Sequence, residues 1–308
     1  MTTTDLELTE IDAMPEDVEA EAAAPDVDAD RAVEALLAHV DRQEPSGSRK
    51  PAGKVITVLS PKGGVGKTMV ATNLAVGLAR RASGMAALVD LDLCFGDVAT
   101  SLLLDPKHGI EQVARAARAL DDAGVKVLLT RHTSGLHVLC APDDPAAGEE
   151  VSPEDVTSVI DVLAADLPYV VLDTGAGLDE ATLTAVERST DIVVVGAMDV
   201  PSLLGLRKAL DALDRLGMTA ARRHLVLNRA DSRAGLEASD VESTLGLPVT
   251  VAIPSTRAIP LSVNQGKPIV ESDWRSSAGR ALQELVDLFA DVPTARAGGF
   301  AWLRRSAR

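Results

Sequence analysis

A glycine-rich heptapeptide between an apolar run and a helix-like stretch constrains this chain more than any other feature. Residues 62–68 read KGGVGKT; the apolar run 55–59 precedes them and the helix-like stretch 70–80 follows. A strand that enters such a turn and opens a helix aims backbone N–H groups and the positive end of the helix dipole at a bound anion. We therefore predict that this loop binds nucleotide phosphates, with Lys67 reaching the β- and γ-phosphates and the Thr68 hydroxyl binding Mg²⁺. A glycine turn with a purely structural role would need neither lysine.

The rest of the chain alternates between strand-like and helix-like segments. Near-continuous apolar runs such as residues 192–195 suit strands that are covered on both faces of a sheet. Such alternation builds right-handed β–α–β units, so we predict an α/β fold: a doubly wound, mainly parallel sheet with ligands at the carboxyl ends of its strands. The predicted strands are 55–59, 86–91, 136–140, 169–173, 191–197, 224–228 and 249–253. The predicted helices are 67–82, 109–120, 153–166, 179–188, 202–216 and 238–245.

Three aspartates fall where two of these strands end. Asp90 and Asp92 close the second strand and, being two residues apart, lie on the same face of an extended chain. Asp173 closes a later apolar strand, at the position of a Walker B carboxylate. A buried aspartate without a partner is costly, so we predict that Thr68, Asp90, Asp92 and Asp173 surround a Mg²⁺ ion. The alternative for each aspartate alone is a role in a turn or a helix cap.

Charge is distributed unevenly along the chain and suggests how it divides. The formal net charge is −16, but residues 1–30 hold eleven acids and no lysine or arginine, which leaves −5 for the remainder. We predict that residues 1–53 form a disordered acidic arm and linker, either a solvating tail or a docking arm for a basic protein partner. Residues 54–291 would then form the folded domain and residues 292–308 a basic tail. The acidic balance argues against a nucleic-acid partner.

Cysteine and histidine usage excludes several kinds of site. Two cysteines without a C-x-x-C spacing and five scattered histidines indicate neither a disulfide framework nor a zinc site. No apolar run reaches about 18 residues and no signal peptide is recognisable, so we expect a cytoplasmic protein that does not cross a membrane.

The last residues of the sequence combine arginine with aromatic side chains. On a helical wheel, one arc holds Phe300, Trp302, Leu303 and Ala307, and the other holds Arg304, Arg305 and Arg308. Residues 298–308 therefore fit an amphipathic segment that binds a membrane surface weakly as one copy and more tightly as two. A frayed end with incidental aromatics and a protein-docking tail are the alternatives.

The glycine-rich loop resembles that of one family closely. The ordinary Walker A motif has glycine where this chain has Pro61, and the extra Lys62 gives the deviant form KGGxGK[ST] of the MinD/ParA group of dimerising ATPases. That resemblance implies a P-loop NTPase fold, ATP and Mg²⁺ as cofactors, and a homodimer when ATP is bound. It implies catalytic roles for Lys67 and for Lys62, which crosses the dimer interface to the partner's nucleotide. It also implies that Asp92 positions the attacking water and that Asp90 lies near the Mg²⁺ shell.

The same resemblance implies the nucleotide contacts. Asn228 matches the adenine-recognition position, and Pro254 matches the loop that closes over the base. Met69 stands where the group commonly has a threonine that touches the α-phosphate, and Gly175 replaces the proline usual after the Walker B residues. Both departures favour slow hydrolysis, because one hydroxyl is missing and the backbone at Gly175 is looser. The predicted contacts in the loop are Gly63, Gly64, Val65, Gly66, Lys67, Thr68 and Met69.

Several short motifs further resemble the CpaE/TadZ branch, whose members localise the assembly of tight-adherence (Flp-type) pili. These motifs lie at residues 60–62, 91–98, 134–136, 141–142 and 264–268. The resemblance implies an ATPase that positions or regulates a pilus assembly, and the amphipathic segment 298–308 would bind it peripherally to the inner face of the cell membrane. Many members carry an N-terminal receiver-like domain, for which residues 1–53 are too few.

Three other functions compete with this interpretation. A ParA-like DNA- or cargo-partitioning ATPase shares every nucleotide motif but needs a basic surface. A nucleotide-dependent scaffold with little hydrolysis fits Met69 and Gly175. A nitrogenase-reductase-like electron carrier needs cysteines that bridge an iron–sulfur cluster, and the surroundings of Cys94 and Cys140 do not match that requirement.

Overall fold

A computed structural model of the chain describes residues 53–117, 122–231 and 235–290. Its strands, in chain order, are β1 (Lys54–Ser60), β2 (Ala86–Leu91), β3 (Thr130–Arg131), β4 (His137–Leu139), β5 (Tyr169–Ala176), β6 (Asp191–Ala197), β7 (Arg222–Asn228) and β8 (Val249–Ile253). The predicted acidic arm, apart from Gly53, and the predicted tail 292–308 lie outside the described residues. The division of the chain into arm, domain and tail therefore stays a prediction.

All eight described strands belong to one sheet in the order β3-β4-β2-β5-β1-β6-β7-β8. Only β3 and β4 pair antiparallel; every other pair is parallel. The strand that enters the glycine-rich loop, β1, lies between β5 and β6 near the middle of the sheet. Parallel strands bring their carboxyl ends to one edge, so the loop, Asp90, Asp173 and Asn228 gather there.

Helices connect the strands and cover both faces of the sheet. The longer helices are α1 (Lys67–Arg81), α3 (Ile110–Ala117), α6 (Pro153–Asp166), α7 (Glu180–Arg188), α8 (Val200–Arg215), α9 (Ala238–Leu245) and α12 (Ser277–Ala290). The shorter ones are α2 (Val98–Ser101), α4 (Asp122–Val127), α5 (Pro145–Glu149), α10 (Ala258–Asn264) and α11 (Ile269–Ser272).

Polar residues at the helix starts explain why several helices begin where they do. Ser152 and Asp155 form a capping box at α6, in which the Ser152 hydroxyl accepts from the Asp155 N–H at 3.2 Å and Asp155 accepts from the Ser152 N–H at 3.0 Å. Asp179 accepts from the Thr182 N–H at 2.8 Å at the start of α7. Each cap satisfies an N–H group that the helix itself leaves open, which contributes about 1 kcal/mol.

The core lies on both sides of the sheet, as the apolar strands predicted. Successive residues of β1 alternate between them: Ile56 and Val58 pack with α1 and α12, whereas Val55 packs with α6 and Leu59 with α8. These four side chains are fully buried. The strands of a parallel sheet carry apolar side chains on both faces, so exposing either face to water would lose the stabilising free energy of burying those side chains.

The structure confirms the predicted fold class and adds elements that the sequence interpretation omitted. The predicted helix 109–120 is described as α3 over Ile110–Ala117, and residues 118–121 lie outside the described residues. The elements that had not been predicted are the two-residue strand β3, the helix α12 and the short helices α2, α4, α5, α10 and α11. α12 packs closely on α1, where a Cβ on Gly77 would lie 2.3 Å from Cγ2 of Val286.

The end of α12 is tied to the starts of β1 and β5. The Lys54 ammonium donates to the Phe289 carbonyl at 3.1 Å, and the Tyr169 hydroxyl donates to the Ala290 carbonyl at 3.2 Å. The rings of Phe289 and His224 also pack edge to face, with 5.1 Å between their centroids. Within the described ranges, no helix combines the length and the apolar character that crossing a membrane requires.

Candidate functional site

The loop between β1 and α1 has the backbone that phosphate binding requires. Gly64 and Gly66 adopt positive φ angles of 73° and 101°. Gly66 precedes the first residue of α1, and no side chain of the described residues caps that helix end. A Cβ at Gly63 or Gly64 would meet nothing within 4 Å, so this side of the loop is open. The first N–H groups of α1 are thus available to an anion.

Asn228, at the end of β7, holds this loop in place through a hydrogen bond to its backbone. Its Nδ2 donates to the Val65 carbonyl at 2.7 Å, and the side chain is almost fully buried. A Cβ on Gly66 would lie only 2.4 Å from that nitrogen, so glycine is required at position 66 for space as well as for its φ angle. The predicted contact between Asn228 and adenine is not tested by this geometry and stays a prediction; the support of the loop is an additional role.

Asp173 is the least satisfied carboxylate of the site. It is 1% exposed, and among the described residues neither of its oxygens has a hydrogen-bond partner of normal geometry. Burial raises the pKa of Asp173 to about 7, although the nearby Thr68 hydroxyl and the Lys67 charge act in the opposite direction. Lys67 itself is 8% exposed at the first position of α1. A buried carboxylate beside an ammonium and a hydroxyl fits a cation site that water or phosphate completes.

Asp90 lies opposite Asp173 in the paired register of β2 and β5. Its Oδ1 accepts from the Asp92 N–H and its Oδ2 from the Val98 N–H, both at 3.1 Å. Burial, and next the charge of Asp173, raise the pKa of Asp90 well above its usual range. The two carboxylates therefore differ: Asp90 holds the backbone that follows β2, and Asp173 is left without such bonds.

Asp92 follows β2 and is only partly buried. Its Oδ1 accepts from the Phe95 N–H at 3.2 Å, and a Cβ on Gly175 would lie 3.6 Å from its Cγ. A cavity of about 510 Å³ is lined by Asp92, by Gly175 and by residues at the N-terminal ends of α6 and α7. Asp92 is thus accessible to water, as its predicted role requires.

Lys62, the signature lysine, extends away from the loop. Its Nζ pairs with Asp199 Oδ1 at 3.2 Å, and the two side chains are 49% and 41% exposed. Asp199 also caps α8 by accepting from the Ser202 N–H at 2.8 Å. The pairing was missed from the sequence; the Asp-Val-Pro-Ser start of α8 signals the cap but not the contact with Lys62.

The remaining predicted contacts lie around the loop. Met69 is buried in the first turn of α1, and Pro254 directly follows β8. Asn73, which the sequence interpretation did not single out, ties α1 to α11 by donating to the Met69 carbonyl at 2.8 Å and accepting from the Val270 N–H at 3.1 Å. The structure thus gathers the loop, Lys67, Thr68, Asp173 and Asn228 at one edge of the sheet.

The donor set fits Mg²⁺ better than a metal held by protein alone. Within the described residues, no three His, Cys, Asp or Glu side chains form a group that could hold a metal ion. Mg²⁺ usually takes one or two carboxylates and completes its shell with water and phosphate oxygens. The unpaired oxygens of Asp173, with the Thr68 hydroxyl nearby, provide such a partial set.

Comparison with known proteins agrees with this geometry. Residues 56–269 match the model of the CobQ/CobB/MinD/ParA nucleotide binding domain. The septum site-determining protein MinD of Thermotoga maritima is 25% identical over 260 residues, which cover 80% of this chain and 94% of that protein. MinD of Helicobacter pylori is 27% identical over 239 residues, which cover 72% of this chain and 86% of that protein.

Solved structures share the fold. A ParA family ATPase from Chlorobium tepidum superposes with a TM-score of 0.73 at 23% identity, over 78% of this chain and 100% of that one. MinD of Pyrococcus horikoshii, solved with Mg-ADP, superposes with a TM-score of 0.67 at 21% identity, over 77% of this chain and 95% of that one. A chain of the MinC:MinD cell division protein complex of Aquifex aeolicus superposes with a TM-score of 0.64 at 21% identity, over 79% of this chain and 99% of that one. This chain belongs to the CobQ/CobB/MinD/ParA nucleotide binding domain family.

Proposed function

We propose that the chain is a MinD-type ATPase that binds ATP with Mg²⁺, dimerises around the nucleotide and positions a cell-surface assembly of the Flp-pilus class at the membrane. The observation that carries the ATPase proposal is the unpaired, buried carboxylate of Asp173 beside Lys67 and Thr68, at the end of an open glycine loop. The Mg-ADP bound by the Pyrococcus relative supports the choice of cofactor.

Each residue of the site has a defined task in this proposal. The loop amides and Lys67 bind the β- and γ-phosphates, and Thr68 and Asp173 hold the metal ion. Bound Mg²⁺ neutralises charge that develops on the phosphate oxygens. Asp92, beside the cavity, orients a water whose oxygen attacks the γ-phosphorus while the bond to the bridging oxygen breaks and ADP leaves. One proton of the water stays on the inorganic phosphate formed and the other passes to solvent.

Lys62 is free to leave its present partner when two subunits meet. Its pair with Asp199 is half exposed on both sides, and such surface pairs contribute only about 0–1 kcal/mol. In the proposed dimer Lys62 exchanges that carboxylate for the phosphates of the nucleotide bound to the partner, where a cation stabilises more charge.

The dimer proposal is tested by Lys62→Ala and a matched variant, Asp199→Asn. We expect ATP to raise the molar mass measured by light scattering to that of a dimer in the wild type and in Asp199→Asn, which keeps Lys62 and a residue able to cap α8. Lys62→Ala should stay monomeric with ATP. An unchanged dimer fraction in Lys62→Ala would refute the role given to Lys62.

Membrane positioning depends on residues 298–308, which lie outside the described residues. We expect the full chain to co-sediment with anionic liposomes with ATP but not with ADP, and to lose this binding when residues 298–308 are removed. Absence of sedimentation in every state, with phosphate release intact, would favour a partner-docked ATPase. The MinC-bound relative makes a protein partner a reasonable alternative, and the acidic arm is a candidate contact for it.

A ParA-like partitioning ATPase is the second candidate, because the Chlorobium ParA family ATPase superposes with a TM-score of 0.73. That function requires DNA binding that depends on ATP and weakens steeply with salt. An electrophoretic mobility shift with ATP at low salt, absent with ADP, would support it. Phosphate release measured in parallel distinguishes both ATPases from a scaffold with little hydrolysis, which Met69 and Gly175 would favour.

A further inference from the structure

The carboxylate of Asp90 is engaged on both oxygens by the segment that carries Asp92. One oxygen accepts from the N–H of Asp92 and the other from the N–H of Val98, the first residue of α2, each at 3.1 Å. The side chain is 1% exposed. A single buried side chain therefore closes the loop over residues 92–98 at both of its ends.

Gly96 shows how tightly this loop is wrapped around that carboxylate. A Cβ at position 96 would lie 2.4 Å from Asp90 Oδ2 and 2.5 Å from the Cβ of Ala141. The φ angle of Gly96 is not positive, so the glycine is required here for space and not for an unusual backbone conformation. The loop can follow its present path only while position 96 lacks a side chain.

Asp173 contrasts with Asp90 in the neighbouring strand. The two residues are paired in register, yet neither oxygen of Asp173 has a hydrogen-bond partner of normal geometry among the described residues, although the Thr68 hydroxyl lies close enough to favour its charge. To turn toward a metal ion, Asp90 would have to release two backbone N–H groups, of which that of Val98 is buried, whereas Asp173 has no backbone N–H group to release. The geometry divides two roles between two adjacent carboxylates.

We propose that Asp90 is a positioning residue for hydrolysis: it fixes the loop that presents Asp92 to water, and Asp173 with Thr68 holds the metal ion. This inference rests on the proposed ATPase function and replaces the expectation that Asp90 belongs to the metal shell. It also assigns a function to Gly96, which keeps open the space that the Asp90 carboxylate occupies.

The first test measures the loop itself and needs no hydrolysis. In Asp90→Asn the amide offers one oxygen acceptor, while its NH₂ group faces the other loop N–H, donor against donor. We expect hydrogen exchange at the amides of Asp92 and Val98 to accelerate at least about tenfold in nucleotide-free Asp90→Asn, since slow exchange reflects closed hydrogen bonds. Unchanged exchange at both amides would overturn the inference.

The second test separates positioning from metal binding. We expect kcat of Asp90→Asn to fall by roughly tenfold to a hundredfold, because displacing a catalytic group by about 1 Å can cost on the order of a hundredfold in rate, while the Mg²⁺ concentration for half-maximal activity and the affinity for ADP change less than about twofold. If Asp90 ligates the metal, its variant will instead need much more Mg²⁺, and excess Mg²⁺ will restore kcat. That result would overturn the inference.

Gly96→Ala provides an independent variant with the carboxylate intact. Its methyl group would displace the Asp90 carboxylate, so we expect it to reproduce the loss of kcat and the faster exchange at Val98. Gly205→Ala is the matched control, because a Cβ there meets only Cγ of Pro61 at an ordinary 3.5 Å. Retained ADP binding shows that each variant is folded, and full activity of Gly96→Ala would count against the inference. A wild type without hydrolysis would refute the ATPase proposal and leave the exchange result interpretable.

Discussion

Gly66 offers the sharpest test of how the phosphate loop is held. An alanine there would adopt a φ of 101°, which costs an L residue roughly 1–2 kcal/mol. Its methyl group would also collide with Nδ2 of Asn228 at 2.4 Å and disturb the 2.7 Å bond to the Val65 carbonyl, for a further cost of about 1–2 kcal/mol. We expect Gly66→Ala to lower the free energy of unfolding by about 3 kcal/mol.

A second variant, Asn228→Ala, removes the same hydrogen bond to the Val65 carbonyl that Gly66→Ala disturbs, so the two can be compared alone and combined. Asn228→Ala should cost about 2 kcal/mol, since it leaves the buried Val65 carbonyl without its donor. The double variant has no collision and loses the bond only once, so it should cost about 3 kcal/mol instead of the additive value of about 5 kcal/mol.

Urea unfolding followed by circular dichroism, without nucleotide, measures these differences. Gly63→Ala is the control, because a Cβ there meets nothing within 4 Å and the φ angle is not positive; it should stay within about 0.5 kcal/mol of the wild type. Additive costs in the double variant, or a cost below about 1 kcal/mol for Gly66→Ala at an unchanged m-value, would refute the reasoning.

Three further predictions follow from buried groups. Burial raises the pKa of Asp173 to about 7, so above about pH 4 the folded chain keeps a proton that the unfolded chain has released. Without nucleotide or metal, the free energy of unfolding should therefore fall as the pH rises from about 4 to about 7. Urea titrations at several pH values should show that Asp173→Asn removes up to about 4 kcal/mol of this fall. Gly77→Ala should destabilise by roughly 1–3 kcal/mol through contact with Val286. In a Val286→Ala background, whose own cavity the new methyl group partly fills, Gly77→Ala should cost much less, and thermal unfolding in which the two costs add would contradict the packing of α1 on α12. A thiol reagent should modify one cysteine rapidly in the native chain, the exposed Cys94, because Cys140 is buried and burial raises its pKa to about 12; two fast-reacting thiols would contradict this.

The loop, its flanking strand and helix, and the aspartates at the strand ends could be predicted from the sequence because each depends on a local pattern. The apolar run before the loop became β1, and the helix predicted over 67–82 is observed as Lys67–Arg81. Glycines at positions that need positive φ and aspartates at the ends of apolar strands are local signals too. Parallel pairing then places Asp90 and Asp173 side by side without further information.

Other parts of the site depend on contacts between distant segments, and the sequence pattern did not predict them. The pairing of Lys62 with Asp199 joins residues 137 positions apart. The bond from Asn228 to the Val65 carbonyl spans 163 positions. Likewise the two residues of β3 are too few to show an alternating pattern, and their place at the edge of the sheet follows from pairing with β4.

The tie between Lys54 and Phe289 has a consequence for everything attached to this domain. It brings the first strand and the last helix of the described chain together at the end of the sheet where β1 begins, and the six residue steps of β1 separate that end from the phosphate loop by about 20 Å. Residues 53 and 290, where the described part of the chain begins and ends, therefore lie close together and away from the phosphate loop. A short peptide joining residue 290 to residue 53 should allow circular permutation of the domain, with new ends opened in an exposed loop. A fluorescent protein or affinity tag fused at either flank should for the same reason leave the proposed dimer face accessible.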